Sequence, residues 1–205
     1  MDDFNRYFDV EDMFCSLFVL AGQHHIKPDV FTRSLESHRF IKAIETGDYR
    51  HAYDESLLDI FNDTSSLFLS SNTANNIWNE YYWVGKCYFY INDKTHKAFS
   101  YIFLKLPFKK LLDMYNPYHE TDLGNILDIF LEKEKEITIL EALVKRRKIS
   151  LTLLSKEVDI AITTLRKYKN NDEYLYKASF INIYKLASYF NVPETLFLKE
   201  VFQKK

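Results

Sequence analysis

Histidines and carboxylates are the side chains of this chain that could do acid–base or metal chemistry. The candidate among the six histidines is His119, because Glu120 and Asp122 follow it within three residues. A metal site or a general base needs partners in register, and no second histidine follows at a helical spacing. Phosphate loops, CxxC pairs and other catalytic motifs are also missing. The sequence therefore predicts no catalytic site, no metal site and no cofactor, and we expect that the protein is not an enzyme.

Cationic side chains point to a different chemistry, the binding of phosphate groups. Residues 1–130 contain 12 Lys or Arg against 19 Asp or Glu, whereas residues 131–205 contain 15 against 10. Such asymmetry is typical of a basic nucleic-acid module joined to an acidic partner domain, although surface charge can also drift between domains. The candidate phosphate contacts are Lys145, Arg146, Arg147, Lys148, Lys156, Arg166, Lys167 and Lys169.

The segment 149–169, ISLTLLSKEVDIAITTLRKYK, contains four of these eight cations, and its pattern predicts two short helices joined by a corner. Ser150 is the expected N-cap of the first helix. The corner is expected at residues 158–160, and the second helix is expected to begin at Ala161. The expected inward positions are Leu154, Val158, Ile160, Leu165 and Tyr168. The expected outward positions are Ile162, Thr163, Arg166, Lys167 and Lys169.

Residues 136–198 resemble the helix-turn-helix domain of the phage repressor and Cro type, also called XRE-like regulators. ITILEALVKRRK is similar to the family's first helix, SLTLLSKEV to its second, AITTLRKYK to its recognition helix and SFINIYKLASYFNVPETLF to its fourth helix with the closing segment. The resemblance implies a five-helix domain that binds double-stranded DNA. It also implies base contacts at Leu151, Ile162, Thr163 and Lys167, with phosphate contacts near those helix ends.

The chain departs from the family pattern at four positions. Asp159 stands at the corner where glycine is usual, and aspartate tolerates a left-handed conformation better than most residues. Ala161 replaces the usual Ser or Thr cap, which weakens the helix start by roughly 1 kcal/mol. Leu151 and Ile162 are apolar where hydrogen-bonding readers are usual. An apolar side chain can contact a thymine methyl group but cannot form a bidentate hydrogen-bonded pair with a base.

Two functions are consistent with these features. The first is a DNA-binding transcriptional regulator, a homodimer on half-sites about one helical turn apart, in which Thr163, Thr164 and Lys167 approach base edges and Ile162 a thymine methyl. The second is a protein-interaction module of a phage or other mobile element, an antirepressor or an inhibitor of a host nuclease such as a CRISPR effector. In that case the helix-turn-helix fold has reduced DNA readout, and the N-terminal domain binds a protein partner.

Few Gly and Pro, four of each, and 17% aromatic residues favour an all-α protein. We predict a helical, aromatic-rich, acidic domain over residues 1–131, in which no family resemblance is recognised and which serves dimerisation, sensing or partner binding. A helix-turn-helix DNA-binding domain is predicted over residues 132–205. The expected N-terminal elements are helices at 10–22, 28–47 and 54–60, a long loop at 63–76, a central aromatic helix at 77–91, an apolar stretch at 99–106, a helix from Pro107 to a stop at 116–117, and a helix capped by Asp122.

Within the C-terminal domain, a loop is expected at 170–178 after the recognition helix. The next helix is expected to turn Phe180, Ile183, Ala187 and Phe190 inward, with Val192 and Leu196 completing the core. Residues 197–202 are expected to extend the apolar face.

The cellular setting is inferred from the cysteines and the N-terminus. Cys15 and Cys87 lie in apolar surroundings and are expected to be buried free thiols. The acidic N-terminus does not fit a secretory signal, and the longest uncharged apolar run, residues 13–22, is half of a membrane span. We therefore expect a cytoplasmic protein that does not associate with membranes.

Overall fold

The structure is a computed structural model that describes residues 3–65 and 78–198. Within these ranges every regular element is a helix, which confirms the all-α class. The α-helices are α1 Asp3–Gln23, α2 Pro28–Leu35, α3 Arg39–Thr46, α4 Tyr49–Tyr53, α5 Leu57–Ser65, α6 Trp78–Thr95, α7 Phe99–Lys105, α8 Phe108–Tyr118, α9 Gly124–Glu136, α10 Ile139–Arg147, α11 Leu151–Val158, α12 Ile162–Asn170, α13 Asp172–Tyr176 and α14 Phe180–Phe190. A 3-10 helix, Glu194–Phe197, follows.

The chain divides into two compact units between Ile129 and Phe130. Unit 1 comprises residues 1–129 and unit 2 residues 130–205, and the division falls within α9. The sequence places its domain boundary between residues 131 and 132.

Unit 1 is organised around the contact between α1 and α6. Gly85 of α6 makes this contact close, because a Cβ added there would lie 2.7 Å from Cys15 Cα of α1. Cys15 and Cys87 are buried and free, as predicted. Burial raises the pKa of both thiols, since it disfavours the charged thiolate.

Aromatic side chains fill the core of unit 1. The Tyr88 ring lies 4.7 Å from the Phe103 ring and 5.6 Å from the Phe18 ring, measured between centroids. Its hydroxyl donates a hydrogen bond of 2.7 Å to the Leu106 carbonyl, so the one polar atom of this fully buried side chain has a partner. Each aromatic ring buried in this way contributes about 2–3 kcal/mol of transfer free energy. The predicted central aromatic helix at 77–91 is confirmed as α6.

Several predicted boundaries in unit 1 are wrong. The first helix begins at Asp3 rather than at Val10. The helix expected over 28–47 is two helices, α2 and α3, because His38 adopts an extended conformation and its ring nitrogen Nδ1 accepts a hydrogen bond from the Phe40 N–H as an N-cap. The short α4 is an element that the sequence does not predict.

Three further predictions for unit 1 concern two helix ends and a loop. Helix α8 continues through Pro117 to Tyr118 instead of stopping at 116–117. In the loop expected over 63–76, residues up to Ser65 belong to α5, and 66–77 lie outside the described residues. The predicted stop at Gly47 is confirmed, because Gly47 is the C-cap of α3 with a left-handed φ of 74°.

Unit 2 contains helices α10 to α14 and the 3-10 helix. Each of these five α-helices contributes fully buried side chains, among them Leu140 and Leu143, Leu154, Leu165, Leu175, and Leu186. The expected inward residues Ile183, Ala187 and Phe190 of α14 are buried, as are Val192 and Leu196. The predicted inward orientation of Phe180 is wrong, since its side chain is 75% exposed at the first position of α14. Of the expected apolar extension, residues 199–202 lie outside the described part of the chain.

Candidate nucleic-acid interface

Helix α11 begins at the predicted cap. Ser150 has an extended backbone, and its Oγ accepts a hydrogen bond of 3.1 Å from the Leu153 N–H. This bond satisfies one of the N–H groups that have no partner within the helix. Leu154 and Val158 are buried on one face, as predicted.

The corner between α11 and α12 is held by one backbone conformation and two side chains. Asp159 is left-handed, with φ 49° and ψ 54°, as its place in the corner predicts. The Ser155 hydroxyl donates to the Ile160 carbonyl over 2.7 Å. Lys185 of α14 donates from Nζ to the Asp159 carbonyl at 3.0 Å and lies 3.1 Å from its carboxylate Oδ2. These contacts fix the direction in which α12 leaves the corner.

Helix α12 starts one residue later than predicted, at Ile162. Ala161 is the N-cap, with ψ 134° and no side-chain cap bond, because its methyl group has no acceptor. Leu165 and Tyr168 are buried, and the Tyr168 hydroxyl accepts a hydrogen bond of 3.1 Å from the Asn182 side-chain amide. This inward face sets the rotation of α12 and leaves the opposite face toward solvent.

The C-terminal end of α12 is held by α10 and α13. The Thr138 hydroxyl donates to the Lys169 carbonyl over 2.7 Å, and Asp172 Oδ1 accepts from the Ile139 N–H at 2.8 Å. The predicted loop at 170–178 is wrong, because Asp172–Tyr176 forms α13. Asn171 caps this helix by accepting from the Glu173 N–H at 2.8 Å.

The predicted DNA-contacting residues come from three helices of unit 2. Arg146 and Arg147 end α10, where Lys148 is the left-handed C-cap. Leu151 opens α11, and Lys156 lies in its last turn. The others lie on α12, namely Ile162, Thr163, Thr164, Arg166, Lys167 and Lys169. Helix α12 packs against both α10 and α11.

These residues differ in exposure. The exposed side chains are Arg147, Lys148, Lys156, Thr163, Arg166 and Lys167. The half-exposed ones are Arg146, Leu151, Ile162, Thr164 and Lys169. None of the predicted contacts is buried.

Four of the predicted cations have no acidic partner within unit 2. For Lys148, Lys156, Arg166 and Lys167, no carboxylate lies within 4.0 Å among the residues that the structure describes. An exposed cation of this kind can neutralise a phosphate without first giving up an ion pair. Side chains of this type usually position a protein on a duplex rather than read its sequence.

Three of the other predicted cations have partners inside unit 2. The Lys169 ammonium lies 4.0 Å from the Glu141 carboxylate, which Lys145 also approaches at 3.2 Å. The Arg147 guanidinium lies 5.4 Å from the centre of the Tyr189 ring. Arg147 therefore packs α10 against α14 in addition to presenting a charge.

Sequence reasoning missed the side chains that hold the corner and the ends of α12. Lys185 is 26 residues from Asp159, and no local pattern connects them. The role of Thr138 could have been predicted, because Thr138 and Glu141 have the sequence spacing of a capping box. Its Oγ1 accepts from the Glu141 N–H at 3.2 Å.

His119, the histidine that the sequence offers for acid–base or metal chemistry, packs at the end of α8. His119 is the C-cap residue of α8, its ring stacks on Tyr115 at 4.4 Å, and its Nε2 lies 3.6 Å from Glu120. Across residues 3–65 and 78–198, no three His, Cys, Asp or Glu side chains are grouped so that they could hold a metal ion.

Comparison with known proteins finds no family model, no curated protein and no solved structure that matches this chain. In the ranges that the structure covers, the helices are too short or too polar to cross a membrane.

Proposed function

We propose that the protein is a DNA-binding transcriptional regulator of the XRE-like helix-turn-helix type, with unit 2 as its DNA-binding part. The observation that supports this most strongly is the exposed face of α12. It presents Thr163, Arg166 and Lys167 to solvent from a helix whose rotation is fixed by buried Leu165 and Tyr168. A short helix with hydroxyls and cations on its free face suits the major groove of duplex DNA.

The surrounding charges support the same proposal. Lys156 on α11 and Lys148 after α10 add exposed cations on the two helices that α12 packs against. Contacts of this kind carry most of the affinity of a DNA-binding protein and make it depend on salt. We also propose that the protein is a homodimer and that unit 1 serves for dimerisation, for sensing or for binding a partner.

The test is a titration of fluorescent duplex fragments with the full chain, followed by anisotropy over a series of salt concentrations. We expect the logarithm of the binding constant to fall linearly with the logarithm of salt concentration. The double variant Arg166→Ala/Lys167→Ala should bind more weakly, with the slope reduced by roughly 0.9 for each lost phosphate contact.

A matched control is available in unit 1. Lys42 and Arg50 are exposed there on α3 and α4, so Lys42→Ala/Arg50→Ala removes the same number of positive charges and leaves α12 unchanged. The control should retain the wild-type slope. Equal losses in both double variants would mean that net charge alone drives binding, which contradicts a contact surface on α12.

A second candidate function, protein binding by unit 1, is favoured by one observation. Trp78 is 53% exposed at the start of α6, and its ring stacks on Tyr82 at 6.0 Å. Exposed tryptophan is enriched at the energetic centres of protein interfaces. In this proposal the chain is an antirepressor or an inhibitor of a host nuclease such as a CRISPR effector. A pull-down from host lysate with wild type and Trp78→Ala tests it, since a specific partner should be recovered only by wild type.

A further inference from the structure

The free face of α12 is chemically different at its two ends. Ile162 and Arg166 are four residues apart, as are Thr163 and Lys167, so each pair lies along the same side of the helix, about 6 Å apart. Arg166, Lys167 and Thr163 are exposed, and Ile162 is half-exposed. The N-terminal end of this face therefore carries methyl groups, and the cations follow about one turn later.

The N-terminal end lacks the groups that read bases by paired hydrogen bonds. Bidentate readout uses Asn or Gln for adenine and Arg or Lys for guanine. The first residues of α12 are Ile162, Thr163 and Thr164, and the N-cap before them is an exposed alanine. A threonine hydroxyl can bond to either kind of base edge, so it discriminates weakly. The thymine 5-methyl group is the feature of the major groove that aliphatic side chains contact.

We propose that α12 recognises DNA chiefly through thymine 5-methyl groups, which contact the side-chain methyl groups of Ile162 and Thr163, while Arg166 and Lys167 hold the backbone. This inference rests on the proposed DNA-binding function and specifies the ligand of the same surface. Its consequence is a preference for sites with thymines at the positions that face the start of α12. The preference depends on a methyl group and not on the hydrogen-bonding pattern of the base pair.

The experiment uses duplexes that differ only in that methyl group. Sites are first selected from a random duplex pool with the full chain. Each thymine of the best site is then replaced in turn by deoxyuridine, which keeps all hydrogen-bonding groups. We expect the dissociation constant to rise about fourfold at each contacted thymine, which corresponds to the transfer free energy of one buried methylene or methyl group. Replacing such a thymine by cytosine should weaken binding, and 5-methylcytosine should restore part of the loss.

Two substitutions at Thr163, one isosteric and one that deletes the methyl group, identify the group responsible. Thr163→Val keeps the methyl group and removes the hydroxyl, whereas Thr163→Ser does the opposite. We expect Thr163→Val to retain the ratio of thymine to deoxyuridine affinity at its contact and Thr163→Ser to reduce it. Because Thr163 is exposed, both variants should fold like wild type, which circular dichroism checks.

The possible failures are distinguishable. Binding that is unchanged by deoxyuridine at every position overturns methyl recognition but leaves DNA binding intact. The hydroxyl group would be responsible for the readout if Thr163→Ser kept the ratio of thymine to deoxyuridine affinity and Thr163→Val lost it. That result also overturns the inference. Absence of binding to every duplex at low salt would instead contradict the proposed function itself.

Discussion

Replacing Gly85 with alanine should destabilise unit 1 by about 2 kcal/mol. The new Cβ would lie 2.7 Å from Cys15 Cα and 3.2 Å from its Sγ. Because the nearest atom belongs to the backbone, no side-chain rotation relieves the contact, and α1 must move away from α6. Overpacking of this kind costs about 1–3 kcal/mol, and the cost lies at the upper end here because the obstructing atom belongs to the backbone. Alanine regains about 1 kcal/mol of helix propensity over glycine, which leaves a net loss of about 2 kcal/mol.

Tryptophan fluorescence during urea unfolding measures this change in unit 1 alone, since the two tryptophans, Trp78 and Trp83, both lie on α6. Gly124→Ala is the matched control. There the added Cβ meets the side-chain oxygen of Asp122 at 2.7 Å, and that side chain can rotate away with the loss of its hydrogen bond to the Gly124 N–H. We expect a net change within about 0.5 kcal/mol for the control, because the lost bond, about 1 kcal/mol, is offset by the helix propensity that alanine gains over glycine. A Gly85→Ala variant as stable as wild type would refute the close packing of α1 against α6.

Three further predictions concern the corner, the start of α10 and the thiols. Lys185→Met should lower stability by only about 1 kcal/mol, because the Asp159 carboxylate is 96% exposed and the bond to the Asp159 carbonyl carries most of the effect. Hydrogen exchange should quicken at the corner amides. Thr138→Val loses an N-cap bond and the bond to the Lys169 carbonyl and should cost about 1–2 kcal/mol in thermal unfolding followed by circular dichroism. Both thiols should resist an aromatic disulfide reagent at neutral pH until urea unfolds unit 1, because burial raises each pKa and keeps the sulfur protonated. Rapid labelling of the folded chain would contradict that burial.

Local signals in the sequence were sufficient for the helix pair at the centre of the candidate site. Ser150 as a cap, the four-residue spacing of Leu154 and Val158, and aspartate at the left-handed corner are all short-range features. Each acts through a backbone conformation or one helix face, so composition and spacing predict it.

Long-range contacts explain what the sequence could not predict. Lys185 reaches the corner from α14, and Thr138 reaches the end of α12 from the start of α10. Phe180 fits the apolar spacing of α14 but is exposed. Periodicity identifies which face of a helix is apolar, but it does not show how far along the helix other elements cover that face. The split of the 28–47 segment depends on a histidine cap, which is uncommon among N-caps.

The central claim is that the cations of α12 bind duplex DNA. The most direct measurement is the salt dependence of duplex binding by the full chain and by Arg166→Ala/Lys167→Ala, with Lys42→Ala/Arg50→Ala beside them. We expect a linear dependence whose slope falls by roughly 1.8 in the α12 variant, if each cation holds one phosphate, and stays unchanged in the control. A wild-type chain that binds no duplex at low salt would contradict the account.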